Sequence, residues 1–120
     1  MSNDKAYNDK AYVDDVLEAM RDVIAFLGDM TYDAFVADEK TAAAIYWKLE
    51  IIGEATKRLS NALRDAHPEI PWKKMAGMRD KLIHGYDEIE LVQVYNAVTE
   101  VIPPLIPIIE AILVSLPDPE

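Results

Sequence analysis

The chain has 120 residues, about half of them apolar, a net charge of −10 and no cysteine. That size and apolar share favour one globular domain with its own core over a disordered chain. The missing thiols exclude disulfides and thiolate zinc sites, and the acidic balance argues against a protein that coats nucleic acid by general basic attraction.

Residues 1–10 are rich in Ser, Asn, Asp and Lys and read as a frayed terminus. Residues 1–15 lack the apolar core of a signal peptide. From Tyr12, the residues Val13, Val16, Leu17, Met20, Ile24 and Leu27 recur at three- and four-residue spacing, the pattern of an amphipathic helix. Gly28 is its expected stop. Residues 29–38 form a connection with a short helical turn, capped by Thr31 or Asp33, with Tyr32, Phe35 and Val36 covering the core edge.

A second long helix is expected from Asp38–Thr41 onward, with Ile45, Leu49, Ile52, Thr56, Leu59 and Leu63 as its buried stripe. Gly53 at its centre points to close approach of a neighbouring helix. Glu54 and Arg58 stand four apart and can pair. His67-Pro68-Glu69-Ile70-Pro71 breaks the chain, and Pro71 suits the first position of a third helix running from Trp72 to His84, with Gly85 in the left-handed position after it. A last helix from about Glu90 carries Val92, Tyr95, Val98, Ile102, Leu105, Ile109, Ile112 and Leu113, with a kink expected at Pro103 and Pro104. The apolar run from Val101 to Leu116 reads as too short and too interrupted to span a bilayer. With no strand pattern, the reading is an all-α, up-and-down bundle of about four long helices, one domain over residues 1–120, soluble and cytoplasmic, with no membrane contact.

Chemistry concentrates in Arg79-Asp80-Lys81-Leu82-Ile83-His84-Gly85-Tyr86. From Trp72 to Tyr86, Lys73, Lys74, Arg79 and Lys81 stand against Asp80 alone, a net of +3 in a chain whose remainder carries −13. Asp80 and His84 are four apart and face each other on a helix. Arg79 and His84 are five apart, roughly 140° around the axis, so they converge only if the helix ends at His84 or if two copies of the motif meet across a dimer interface. These residue types suit phosphodiester cleavage in RNA. Histidine exchanges protons near neutral pH, and arginine offers a fixed fork to phosphate oxygens. The same residues also fit a plain helix terminus, with His84 on the last carbonyls and Arg79 and Lys81 on a solvated face.

The run 79–86 resembles the Arg-x4-His-x-Tyr signature of the HepT family, ribonuclease toxins of the HEPN superfamily. Asp38-Glu39-Lys40-Thr41, Leu49-Glu50-Ile51-Ile52-Gly53-Glu54-Ala55, His67-Pro68-Glu69-Ile70-Pro71-Trp72 and Met75-Ala76-Gly77-Met78-Arg79 resemble that family's other segments in the same order. The resemblance covers roughly residues 12–115. It implies a helical homodimer whose two motifs face one another in an RNA-cleaving cleft. Arg79 and His84 would be the catalytic pair, supported by Asp80, with no metal or other cofactor. It also implies that Tyr86 is adenylylated by a MntA-like minimal nucleotidyltransferase antitoxin, which would place a phosphate and its bulk beside Arg79 and His84. One departure follows the motif: Asp87, Glu88 and Glu90 stand where relatives commonly carry aromatic or apolar residues. The competing reading is a non-catalytic helical module that binds a nucleotide or a nucleotidyltransferase partner.

Of the remaining candidates, His67 reads as a structural or exposed loop residue, and Glu54 as the partner of Arg58 with a lesser claim to the cleft. Trp72 and Met75 read as packing or dimer contacts. Tyr46 and Trp47 cannot both face the core of one helix, which leaves one of them for an interface.

Overall fold

The computed structural model describes residues 2–77 and 88–118, with side chains from 8 to 77 and from 91 to 118. Its longest element is α1, Ser2–Leu27. Val13, Val16, Leu17, Met20, Val23 and Leu27 of this helix are buried, along with Ala19. The expected stripe therefore holds, except that Val23 takes the deep position expected of Ile24, which is only partly buried. Gly28 ends the helix at φ +55°, and its N–H donates to the Ile24 carbonyl at 2.9 Å. Only glycine enters that left-handed region without a Cβ penalty, so the stop is built into the sequence.

The terminus is not frayed as the composition suggested. The helix begins at Ser2, and the carboxylate of Asp9 is buried, 7 % exposed. Polar residues at a helix start look like a loosened end when their partner lies far along the chain.

A short helix α2, Tyr32–Ala37, follows, capped by the Thr31 hydroxyl, which accepts from the Ala34 N–H at 3.1 Å. Phe35 is fully buried and Val36 is exposed, so only part of the expected edge cover is realised. Asp38 then works in both directions. Its N–H closes α2 on the Phe35 carbonyl, and its carboxylate opens α3, Glu39–Lys57, by accepting from the Thr41 N–H at 3.1 Å and the Thr41 hydroxyl at 2.8 Å. Such caps satisfy amide donors that have no partner within the helix.

Ile45, Leu49, Ile52, Thr56, Leu59 and Leu63 are all buried as expected, but they do not share one helix. α3 stops at Lys57, and α4, Asn61–Ala66, starts afresh with Ser60 as its cap. The apolar spacing runs on across this break, which is why the spacing alone hides it. Thr56, fully buried, satisfies its hydroxyl on the Ile52 carbonyl at 2.7 Å.

A fifth helix, α5, starts at residue 72 and is described to 77. Pro71 sits one residue ahead of its first helical position, and its carbonyl accepts from the Met75 N–H at 3.0 Å. The expected end of this helix at His84 and Gly85 lies outside the described residues.

α6, Glu88–Asn96, continues through a π turn, Ala97–Val101, into α7, Ile102–Ser115. Pro103 and Pro104 have no N–H to give the carbonyls of Thr99 and Glu100, and their rings crowd the preceding turn. The helix answers with one wider turn just ahead of them, in which the Ile102 N–H reaches back to the Ala97 carbonyl. By length and composition alone the whole helix Leu91–Ser115, which extends ten residues upstream of the apolar run that starts at Val101, is sufficient to cross a membrane. In this fold Val94, Val98, Ile102, Leu105, Ile109 and Ile112 of that helix are buried in the core.

α1 packs against both α3 and α7. Asp9 meets Ser60 and Asp22 meets Lys48, so α1 and α3 run antiparallel. Lys10 pairs with Asp118 and Arg21 with Glu110, so α1 and α7 are antiparallel too. The result is a helical bundle with α1 as its central strut, and there is no strand among the described residues.

Candidate functional site

Arg79, Asp80, His84 and Tyr86 lie outside the described residues; what the structure gives is the frame on either side of them. Upstream, the break at His67–Pro71 folds onto a single acceptor. The His67 carbonyl receives the Ile70 N–H at 3.2 Å and the Trp72 indole N–H at 2.9 Å, and the Trp72 backbone N–H donates to Ile70 at 2.8 Å. Ile70, Trp72 and Met75 are buried, while Lys73 and Lys74 are exposed. Each indole and carbonyl is thus satisfied as it leaves water, as burial requires. Trp72 and Met75 are packing residues, as expected, and they fix the start of the helix that leads into the motif.

Downstream, Val94 is buried and the Tyr95 ring sits among aromatics, 5.4 Å from Tyr32 edge-on and 5.8 Å from Phe35. The Tyr95 hydroxyl donates to the Met30 carbonyl at 2.8 Å, tying α6 to the end of α1. The motif stretch is therefore bounded by two segments, each anchored in the core by an aromatic whose polar atom is satisfied.

The other candidates resolve individually. His67 is partly exposed, with its Nδ1 3.9 Å from a Glu69 oxygen, in keeping with a loop residue. Glu54 holds Arg58 through both Nη2 at 3.2 Å and Nε at 3.4 Å. Of the neighbouring aromatics on α3, Trp47 is the outward one at 59 % exposure, with Lys48 Nζ 4.8 Å from its ring.

A feature that spacing did not single out lies at the other end of α1. An open groove of about 640 Å³ is lined by Asn8 and Asp9 of α1 and by Arg58, Ser60, Asn61 and Arg64 of the α3–α4 corner. The signal for it was Lys57-Arg58-Leu59-Ser60-Asn61-Ala62-Leu63-Arg64, three basic residues with no acid among them.

Comparison with known proteins decides the family. The model of the ribonuclease HepT-like family matches residues 16–112. The chain belongs to the HepT-like ribonuclease family. A protein of Methanocaldococcus jannaschii named as a putative RNase is 43% identical over 104 residues, 87% of this chain and 86% of that protein. A protein of Thermococcus cleftensis named as a probable ribonuclease HepT is 43% identical over 96 residues, 80% of this chain and 87% of its own length. A third, a putative RNase of Caldanaerobacter subterraneus, is 35% identical over 96 residues, 80% of this chain and 86% of that protein. No solved structure gives a significant match. The all-α bundle is the fold expected of a HepT-like chain, and the matched span contains the whole of Arg79 to Tyr86.

Proposed function

We propose that this HepT-like chain is a cytoplasmic endoribonuclease toxin that cleaves RNA without a metal ion, in a cleft built by two copies of the motif. His84 takes the proton from a ribose 2′-hydroxyl. The 2′-oxygen attacks the adjacent phosphorus, the bond to the 5′-oxygen breaks, and that oxygen leaves with a proton, giving a 2′,3′-cyclic phosphate end. Arg79 faces the phosphate oxygens as charge builds on them, and Asp80 orients the pair. The five-residue offset between Arg79 and His84 is what favours a cleft shared by two copies over a site on one helix. A MntA-like nucleotidyltransferase silences the enzyme by transferring adenylyl groups from ATP to the Tyr86 hydroxyl, the bond from the α-phosphorus to pyrophosphate breaking as the new one forms, which fills the phosphate site with a phosphate of its own.

The observation that carries this reading is the family match over residues 16–112, which includes every residue of the motif. The names of the relatives, RNases in each case, support it. The test is RNA cleavage in excess EDTA by wild type and by His84→Ala, both confirmed unmodified by intact mass. The expected loss in the variant is about a hundredfold or more. Full activity in His84→Ala overturns the assignment of the base. The net charge of −10 and the acids Asp87 and Glu88 beside the motif favour a second reading, a non-catalytic partner-binding module, which is established instead if wild type leaves RNA intact.

A further inference from the structure

The groove at the α3–α4 corner has the size of a small-ligand site but the chemistry of a phosphate track. Two arginines flank it in an acidic protein, and they are not equivalent. Arg58 is paired with Glu54, so much of its charge is answered within the chain. Arg64 is held by a neutral group: its Nη2 donates to the Asn61 amide oxygen at 2.6 Å, and no carboxylate pairs with it among the described residues. An amide fixes the guanidinium in place without cancelling its charge. The carboxylate that also lines the groove, Asp9, has both oxygens engaged by Ser60 and is buried. The groove therefore presents an oriented cation, with its one lining carboxylate turned into the fold.

The basic residues are also gathered along the chain between this groove and the motif. From 57 to 86 there are seven of them (Lys57, Arg58, Arg64, Lys73, Lys74, Arg79, Lys81) against three acids (Asp65, Glu69, Asp80), a net of +4 that leaves −14 for the rest of the chain. An RNA strand meets repulsion over most of this protein and finds attraction along this stretch.

We propose that the Arg58–Arg64 groove holds a backbone phosphate of the RNA away from the scissile bond, with Arg64 as its main contact and Asn61 positioning the guanidinium. The proposal rests on the ribonuclease reading above, and it adds a second point of grip on the backbone of a single-stranded RNA.

The test is binding of a labelled single-stranded RNA oligonucleotide to the full-length His84→Ala protein, measured by fluorescence anisotropy across a salt series. Further substitution of Arg64→Ala weakens binding roughly three- to tenfold. It also makes the slope of log K against log salt shallower by about 0.7, the loss of one phosphate contact on a single strand. Arg64→Lys restores the slope because it keeps the charge. RNA binding with an unchanged slope in Arg64→Ala overturns the groove and leaves the ribonuclease reading intact. AMP binding that depends on Arg64, with the RNA slope unchanged, overturns it in favour of a free nucleotide. Failure of wild type to bind or cleave RNA overturns both together.

Discussion

Asp9 and Ser60, 51 residues apart in sequence, close one end of the bundle through two hydrogen bonds. One Asp9 oxygen accepts the Ser60 N–H at 2.8 Å and the other accepts the Ser60 hydroxyl at 2.6 Å. The same hydroxyl oxygen accepts the Leu63 N–H at 3.2 Å and so caps α4. The start of α1 thus holds the cap of another helix in place. Asp9→Ala leaves the Ser60 N–H unpaired and is expected to cost about 2 kcal/mol. Urea denaturation should show a lower midpoint at unchanged slope. A double-mutant cycle with Ser60→Ala should return a coupling of about 1 kcal/mol, since the two substitutions remove one network.

Asp38 gives a pH-dependent contribution of known sign. The Thr41 N–H and hydroxyl hold its carboxyl below the ordinary value of 3.8. A carboxylate whose pKa is lowered on folding stabilises the protein fully above the unfolded value, and that stabilisation fades as pH falls through the folded one. Wild type should therefore exceed Asp38→Ala in melting temperature by a constant margin near neutral pH. The margin should shrink once the pH drops below about 3.8. A margin that is flat down to the acid limit would remove the charge from the explanation.

Trp72 carries two separable contributions, apolar burial and one indole hydrogen bond to His67. Trp72→Phe keeps most of the burial and removes the indole N–H, leaving the His67 carbonyl with the Ile70 N–H alone, for an expected loss of about 1 kcal/mol. Trp72→Ala adds a cavity and should cost about 3–5 kcal/mol. Because α5 leads directly into the motif, Trp72→Phe should also lower the RNA cleavage rate at temperatures where the protein remains folded. Equal cleavage by Trp72→Phe and wild type would separate the anchor from the site.

Tyr86 should accept adenylyl groups when the chain is incubated with its nucleotidyltransferase and ATP. Intact mass should rise in steps of one AMP, the added mass should map to Tyr86, and Tyr86→Phe should show none. Modification confined to another tyrosine refutes this control mechanism while leaving the catalytic pair to its own test.

The bundle was legible because burial imposes a period, and Val13 to Leu27, Ile45 to Leu63 and Val98 to Ile112 keep it. What escaped was whatever depends on partners distant in sequence. Asp9 reads as part of a loose end because nothing local explains it; its partner is Ser60. The α3–α4 break was masked because Leu59 and Leu63 keep the spacing although the backbone turns between them, and only Ser60-Asn61, a capping pair, marks it. The residues of the candidate site were legible by kind, since Arg79, His84 and Tyr86 form a recognisable pattern. Arg64 was not, because a lone arginine gains meaning only when Asn61 orients it and Asp9 is turned away beside it.

The π turn at Ala97–Val101 means that the last helix carries one spare residue. Val94, Val98 and Ile102 follow one another at intervals of four, whereas from Ile102 onward the buried positions alternate between three and four. The two halves of this helix therefore keep separate phases, and the wide turn is the coupling that lets both address the same core. Removing one residue within 97–101, together with replacement of Pro103 and Pro104 by alanine, would close the wide turn and leave Pro107 as the interior proline of a helix whose ends still point inward. The same deletion one turn to either side would swing half of the helix by about 100° and bring its apolar stripe out of the bundle.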